Sequence, residues 1–217
     1  MSASPETADH SDLMDRIYRH QRFIYDITRK YYLFGRDRMI RELDLKPGDR
    51  LVEVGCGTAR NLVRIAKTYP GARLFGLDAS HEMLKSAADT VRRAGLADRI
   101  TLAHGYAENL SPAMFDESAP FEAVLFSYSL SMIPDWKAAI NAGARNLAPG
   151  GRVHIVDFGD LTGLGHVGRA AMLGWLGLFH VCPRVELLQR LEHEPGAALR
   201  LLPGRYAFLF TAGALAV

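Results

Sequence analysis

Cysteine, net charge and long uninterrupted apolar runs are all scarce in this chain of 217 residues. Two cysteines, Cys56 and Cys182, are too few for a disulfide framework or a cysteine-based metal cluster, which suits a reducing cytoplasm. A formal net charge of +2 gives no basis for the strongly basic surface expected of a nucleic-acid-binding protein. With 48% hydrophobic and 23% charged residues, the composition predicts one globular domain with a sizeable core.

A secretory leader and a membrane span are also not expected. Residues 1–11 are polar and acidic, which predicts a disordered lead-in and no signal peptide. Residues 159–181 are apolar and glycine-rich, but His166 and Arg169 interrupt them. Because a central arginine costs at least about 2.5 kcal/mol on membrane-insertion scales, we expect a buried or partly exposed substrate lid there.

A strand, a tight turn and a helix are predicted from Leu51 onwards. The apolar run Leu51-Val-Glu-Val leads into Gly55 and Gly57, which permit positive φ and a close approach of a ligand to the main chain. A second apolar strand ends at Asp78, about twenty residues on, where a carboxylate of a parallel α/β sheet binds ribose hydroxyls. We expect Glu53 and Asp78 at strand ends outside the packed sheet, where they indicate a nucleoside ligand.

Strands and helices alternate along the chain. The predicted helices are 61–69, 82–94 and 136–147. The first predicted strand begins at Leu51, and the others are 74–78, 100–104, 121–127, 152–158, 197–202 and 206–212. Alternation predicts a parallel sheet with helices on both faces and a ligand at the carboxyl ends of its strands. The last two strands flank Pro203-Gly204, which indicates a hairpin.

The first fifty residues have a different pattern. Apolar residues recur at helical spacing over 12–34, and a shorter helical pattern covers 36–43, so residues 12–49 are predicted to form a helical cap or lid over the domain at 50–217. One edge of the long helix carries Tyr18, Tyr25 and Tyr32. The opposite side carries four cations, Arg19, Arg22, Arg29 and Lys30.

The segment Glu53-x-Gly-x-Gly-Thr58 resembles the first motif of the class I S-adenosylmethionine (SAM)-dependent methyltransferases, with Ala59 where that family often has another glycine. Arg60 breaks the glycine spacing of dinucleotide-binding proteins, so no pyrophosphate site is expected. The resemblance covers residues 50–160. It implies a Rossmann-like seven-stranded sheet, mostly parallel with an antiparallel last strand, and SAM as cofactor with S-adenosylhomocysteine as product.

The same resemblance implies positions for the cofactor. The main chain at Gly55 and Gly57 is expected to run beside the amino-acid half of SAM. Glu53 is expected to organise the turn or to bind the ammonium group, and Asp78 is expected to bind the ribose hydroxyls. The remaining predicted cofactor contacts are Tyr32, Arg36, Ala79, Met83, Ala107, Glu108 and Ser127, and the predicted catalytic residues are Tyr18, Tyr25 and Tyr128. Simpler roles stay open: Asp78 as a helix cap, Met83 as core, Arg36 as a surface arginine, the tyrosines as helix packing.

Residues 15–37 resemble the N-terminal helix of bacterial enzymes that N-methylate diacylglyceryl homoserine to a betaine lipid, and those enzymes are related to bacterial phosphatidylethanolamine N-methyltransferases. The resemblance implies successive methylation of an amine-headgroup lipid, with no metal and no nucleic acid. An α-amino group with a pKa of about 7.7–8.0 needs alignment more than a strong base. Arg36, Arg152 or Arg169 is expected to pair with the head-group acid.

The basic side of the N-terminal helix is expected to dock on an anionic membrane, placing the protein peripherally on the inner face. The histidines, His104, His154 and His166, are expected to be structural because no pair has metal-ligand spacing. Three other functions stay open. They are phosphatidylethanolamine N-methylation, methylation of a soluble small molecule such as a quinone precursor, and cofactor binding without chemistry.

Overall fold

The structure is a computed structural model that describes residues 33–213 and residue 215. The lead-in and the long N-terminal helix, with Tyr18, Tyr25, Tyr32 and the basic side, lie outside the described residues and stay predictions. So does the division into a cap and a domain, of which only residues 33–49 of the cap are described.

A seven-stranded sheet in the order β3-β2-β1-β4-β5-β7-β6 forms the centre of the described chain. The strands are β1 (Arg50–Val54), β2 (Arg73–Asp78), β3 (Ile100–His104), β4 (Phe121–Ser127), β5 (Leu147–Phe158), β6 (Ala198–Leu201) and β7 (Ala207–Ala212). Of these strands, only β7 runs antiparallel to the rest. The predicted sheet is therefore confirmed, and its order reverses between β1 and β4, the point at which such sheets bind ligands.

Helices cover both faces of the sheet. In the described part they are α1 (Arg36–Arg41), α2 (Arg60–Thr68), α3 (His81–Arg93), α4 (Trp136–Arg145), α5 (Gly165–Gly177) and α6 (Val185–Leu191). Side chains of α1, α2, α3 and α5 belong to one apolar cluster, and those of α4 and α6 belong to the other. Helix α6 was not predicted because its seven residues are too few for a clear apolar period.

The predicted lid at 159–181 forms a short 3₁₀ turn followed by α5. None of the helices in residues 33–213 is long and apolar enough to cross a membrane. Strand β5 begins at Leu147, five residues before the predicted start, because Leu147 pairs with Phe121 across an irregularity in the register. The lid role of α5 stays a prediction.

An ion pair fixes the carboxyl edge of β5 to the turn between β6 and β7. Nε of Arg205 donates to both carboxylate oxygens of Asp160, at 2.9 and 2.8 Å, and Arg205 also pairs with Glu192. Phe158 at the end of β5 is paired with Ala207 at the start of β7. The β6–β7 turn therefore lies at the same edge as the carboxyl ends of the parallel strands.

This ion pair predicts a pH dependence of stability. Burial alone would raise the pKa of Asp160, but hydrogen bonds from Arg205 and Thr162 lower it to about 2. The carboxylate thus stabilises the fold above its ordinary pKa of 3.8, and this stabilisation is lost as the pH falls towards about 2. We expect Asp160→Asn to lower the free energy of unfolding at neutral pH and to flatten its dependence on pH between those two values, measured by urea unfolding. The exposed Asp98→Asn is the control, and equal slopes in the two variants would contradict the assignment.

Candidate functional site

The turn after β1 requires glycine. Gly55, Gly57 and Ala59 have φ of 74°, 54° and 59°, and a Cβ added to Gly55 would lie 2.6 Å from Cβ of Ser129. The backbone N–H groups of Gly55 and Cys56 donate to the carbonyl oxygen of Leu77, at 2.8 and 3.0 Å. The turn is therefore bound to the end of the neighbouring strand β2 and backs onto the segment after β4.

Asp78 ends β2 and binds two separate stretches of main chain. Its Oδ2 accepts from N–H of Gly57 at 2.7 Å, and its Oδ1 accepts from N–H of Ser80 at 2.9 Å. The cap of α3 is Ser80, whose Oγ accepts from N–H of Met83, so the alternative role of Asp78 as the cap residue is wrong. Each carboxylate oxygen can accept a further hydrogen bond, which suits a ribose diol.

Glu53 lies inside the sheet. It is only 1% exposed, and it stands in β1 between Gly76 of β2 and Leu125 of β4. The expectation that both acids lie outside the packed sheet is therefore wrong for Glu53, because β1 has a strand on each side. Asp78 is the last residue of β2, is paired with His104 of β3 and is half-buried.

Asn61 joins three elements at this point. Its Nδ2 donates to Oε1 of Glu53 at 2.7 Å and to Oγ of Ser127 at 3.1 Å, so the first turn of α2 ties the end of β1 to the end of β4. Sequence reasoning missed Asn61. The available signal was its place in the first helical turn after the glycines, where a side chain points back to the strand ends.

An open crevice lies between these groups. Its lining residues are Arg36, Glu53, Gly55, Cys56, Thr58, Arg60, Asn61 and Ser127. The carboxylate of Glu53 suits an ammonium group, and the guanidinium groups of Arg36 and Arg60 suit a carboxylate. This donor set fits the zwitterionic amino-acid half of SAM. In the sequence, Arg60 indicates only that the glycine spacing of dinucleotide-binding proteins is broken, and the structure adds that Arg60 lines the crevice.

The residues predicted for adenine follow the ends of β2 and β3. Met83 and Ala107 are buried, while Ala79 and Glu108 are half-buried, and Ala107 begins a 3₁₀ turn that ends at Asn109. Because β2 and β3 are neighbouring parallel strands, these residues stand at one edge of the sheet. Their contact with adenine stays a prediction.

Two histidines flank the same region. The rings of His81 and His104 stack at 3.7 Å, and Nε2 of His104 lies 3.0 Å from the carbonyl oxygen of Ala79. His154 lies elsewhere in the sheet and contacts Oγ1 of Thr211, and burial lowers its pKa to about 4. Within the described residues, no group of histidine, cysteine and acidic side chains has the geometry of a metal site.

Ser127, the last residue of β4, and Tyr128, which follows it, lie in different surroundings. Ser127 lines the crevice, whereas the ring of Tyr128 is 2% exposed and packs edge-on against Phe158 at 4.8 Å. Tyr128 has φ of 56°, and its Oη donates to the carbonyl oxygen of Phe34 at 2.5 Å. Burial, with the nearby charge of Asp157, raises its pKa well above the ordinary value. The structure thus places Tyr128 in the core, holding the chain before α1, and its catalytic role stays a prediction.

Two further buried groups, Cys56 and Asp157, have raised pKa values. Burial, with the charges of Asp78 and Glu53, raises the pKa of Cys56 well above its ordinary value, which fits a small packing residue and not a nucleophile. Burial raises the pKa of Asp157 to about 6, while its oxygens accept from N–H of Ser131 at 3.1 Å and of Phe158 at 2.8 Å. Asp157 is 3% exposed and does not face solvent.

Comparison with known proteins agrees with this geometry. Residues 51–151 match the family model described as a methyltransferase domain. A demethylmenaquinone methyltransferase of Corynebacterium glutamicum (strain R) is 34% identical over 139 residues, which cover 62% of this chain and 54% of that protein. A ubiquinone/menaquinone biosynthesis C-methyltransferase of Syntrophotalea carbinolica is 29% identical over 202 residues, covering 90% and 77%. The chain spans about half the length of the corynebacterial relatives it matches.

Solved structures show the same fold at lower identity. The apo SAM-dependent methyltransferase SibL has a TM-score of 0.66 and 21% identity, covering 88% of this chain and 57% of that one. A phosphoethanolamine N-methyltransferase of Haemonchus contortus, in complex with SAM, has a TM-score of 0.60 and 20% identity, covering 77% and 38%. At these identities the likeness supports the architecture alone.

The position of Asp78 predicts a graded loss of cofactor binding. We expect Asp78→Ala to weaken binding of S-adenosylhomocysteine by at least roughly tenfold, because charged hydrogen bonds to the ligand and to the turn are lost together. Asp78→Asn should weaken binding less, since an amide oxygen still accepts. Titration calorimetry measures both, with Asp89→Ala on the outer side of α3 as control. Wild-type affinity in Asp78→Ala would show that the ribose lies elsewhere.

The lining of the crevice predicts that two arginines of α1 contribute differently to cofactor binding. Arg36 lines the crevice, whereas Arg38 pairs with Glu42 at the surface. Arg36→Ala is therefore expected to weaken S-adenosylhomocysteine binding by roughly tenfold through loss of a charged contact to its carboxylate, and Arg38→Ala to leave it unchanged. Equal affinities of the two variants would show that Arg36 is a surface arginine that does not contact the cofactor.

Proposed function

We propose that the chain transfers methyl groups from SAM to the amine of a lipid head group, since residues 51–151 match the family model described as a methyltransferase domain. Diacylglyceryl homoserine is the first candidate acceptor. The sequence resemblance of residues 15–37 supports this choice, and Arg36 of that stretch lines the crevice.

The observation that carries the proposal is a series of aromatic rings beside the crevice. Phe34 is 57% exposed and packs edge-on against Tyr206 at 5.5 Å, Tyr206 packs against Phe158 at 5.7 Å, and Phe158 packs against Tyr128. The series runs from the surface to the residue that follows Ser127. Tyr206, Phe158 and Tyr128 are buried, so Phe34 is the ring of this series that is open to an acceptor. An exposed aromatic ring at this edge suits an acceptor with acyl chains, and its face favours a quaternary ammonium product.

SAM supplies an electrophilic methyl group on a sulfonium. The residues of the chain have to bind and orient an acceptor whose nitrogen is unprotonated. Ser127 Oγ is fixed by Asn61 and is a neutral polar group that can bind an amine without protonating it. An amine needs alignment more than a strong base, and a site built from hydroxyl and amide groups provides alignment.

An arginine that pairs with the acidic group of the lipid head group has to lie near the crevice. Arg152 lines a groove with Gly150 and Gly213 at the amino end of β5, the edge opposite to the crevice. It is therefore too far from the site, and the expectation that it pairs with the head group is dropped. Arg36 and Arg169 remain, since Arg36 lines the crevice and Nε of Arg169 donates to the carbonyl oxygen of Asp160 at the carboxyl edge.

C-methylation of a quinone precursor is the second candidate, because it is the activity in the names of the relatives. Such a reaction requires a base that removes a proton from a ring hydroxyl. Among the described groups, Asp157 has a raised pKa at this edge, but both of its oxygens accept backbone N–H groups. The described residues therefore meet the needs of an amine acceptor more fully.

The two candidates are separated by offering both acceptors. Full-length protein is incubated with methyl-labelled SAM and vesicles that contain diacylglyceryl homoserine, phosphatidylethanolamine or demethylmenaquinone, and the lipids are analysed by mass spectrometry. We expect mono-, di- and trimethylated diacylglyceryl homoserine, and no product from Asp78→Ala. Label in demethylmenaquinone alone would establish the second candidate. No labelled lipid, with S-adenosylhomocysteine binding intact, would overturn both.

A further inference from the structure

Helix α5 has one apolar face towards the core and another towards solvent. Leu176 is fully buried, whereas Val167 is 85% exposed and Leu178, which follows the helix, is 67% exposed. Ala171 and Gly174 lie between them and are exposed as well. The spacing 167, 171, 174, 178 places these four residues on one stripe along the helix. A helix packed on a water-soluble domain normally carries polar residues on that side.

The stripe continues towards the mouth of the crevice. Leu164, 37% exposed, precedes α5 and lies over the β6–β7 turn, since a Cβ added to Gly204 would be 2.9 Å from Cδ2 of Leu164. Two residues after that glycine, Tyr206 packs against the exposed Phe34. The side chains Phe34, Leu164, Val167 and Leu178, called the apolar rim below, therefore follow the carboxyl edge of the sheet.

The charge of this region favours a negatively charged partner. Residues 161–185 contain no aspartate or glutamate, and they contain His166, Arg169, His180 and Arg184. The acid that precedes them, Asp160, is paired with Arg205. The next acid along the chain, Glu186, is paired with Lys137. An apolar segment that carries cations and no acid over residues 161–185 suits the interface of an anionic bilayer, where apolar side chains enter among the acyl chains and cations meet the head groups.

We propose that the apolar rim docks on anionic lipid membranes, with the α5 stripe lying in the head-group region and the crevice opening towards the bilayer surface. This inference rests on the proposed function in one respect, that a lipid acceptor has to be reached from the membrane. It adds α5 and Phe34 to any contribution of the predicted N-terminal helix.

The test is flotation of the full chain with vesicles of phosphatidylglycerol and phosphatidylcholine, compared with phosphatidylcholine alone. Wild type is expected to float with the anionic vesicles, and Val167→Glu with Leu178→Glu is expected to lower the ratio of bound to free protein by at least roughly tenfold. Both side chains are exposed, so circular dichroism and S-adenosylhomocysteine affinity should not change. Ala88→Glu, exposed on α3 beside Lys85 and Arg92, is the matched control.

Equal flotation of wild type and the double variant would overturn the proposal. Two other outcomes would overturn it by giving the rim another occupant. If wild type does not float and the variant changes the sedimentation coefficient, the rim binds a second copy of the chain. If wild type does not float and the variant melts at lower temperature, residues 1–32 cover the rim. Flotation requires neither SAM nor acceptor, so its failure is distinct from failure of methyl transfer.

Discussion

The two hydrogen bonds that Asp78 accepts from the main chain are the constraint on which the site depends. One holds Gly57 in the turn after β1, and the other holds Ser80 at the start of α3. These hydrogen bonds tie the turn and the start of α3 to the end of β2, beside the crevice. Because the same carboxylate is only half-buried at the strand end, we propose that the group that organises the turn also contacts the ligand.

The sheet could be predicted from sequence because its signals are local. The inner strands are apolar runs buried on both faces, and the glycines at 55 and 57 and the acid at 78 stand at strand ends. The early start of β5 could not be predicted in this way. Ala148-Pro149-Gly150-Gly151 has the composition of a turn, and only its pairing with the distant start of β4 makes Leu147 part of the strand.

The roles of individual side chains depended on partners far along the chain. Tyr128 was expected to face the methyl group, yet a positive φ and the carbonyl of Phe34, 94 residues earlier, direct its ring into the core. Glu53 was expected outside the sheet, yet β4 covers one side of its strand, and Asn61 reaches it from α2. No periodicity in the local sequence carries this information. Residue type and strand position therefore predicted which strand ends line the crevice, but not the contacts that each side chain makes.

The apolar rim and the crevice lie at the same edge of the sheet. The proposed membrane docking and the exchange of cofactor therefore take place at the same edge. Burying Val167 and Leu178 stabilises docking by about 1.5–3 kcal/mol each at most, and each cation near the surface adds on the order of 1 kcal/mol. These magnitudes give reversible docking and not a permanent anchor. Each methyl transfer uses one SAM, and spent cofactor has to leave through the crevice into water. Weak docking beside the crevice is therefore compatible with repeated methylation, whereas tight insertion of the whole edge would block cofactor exchange.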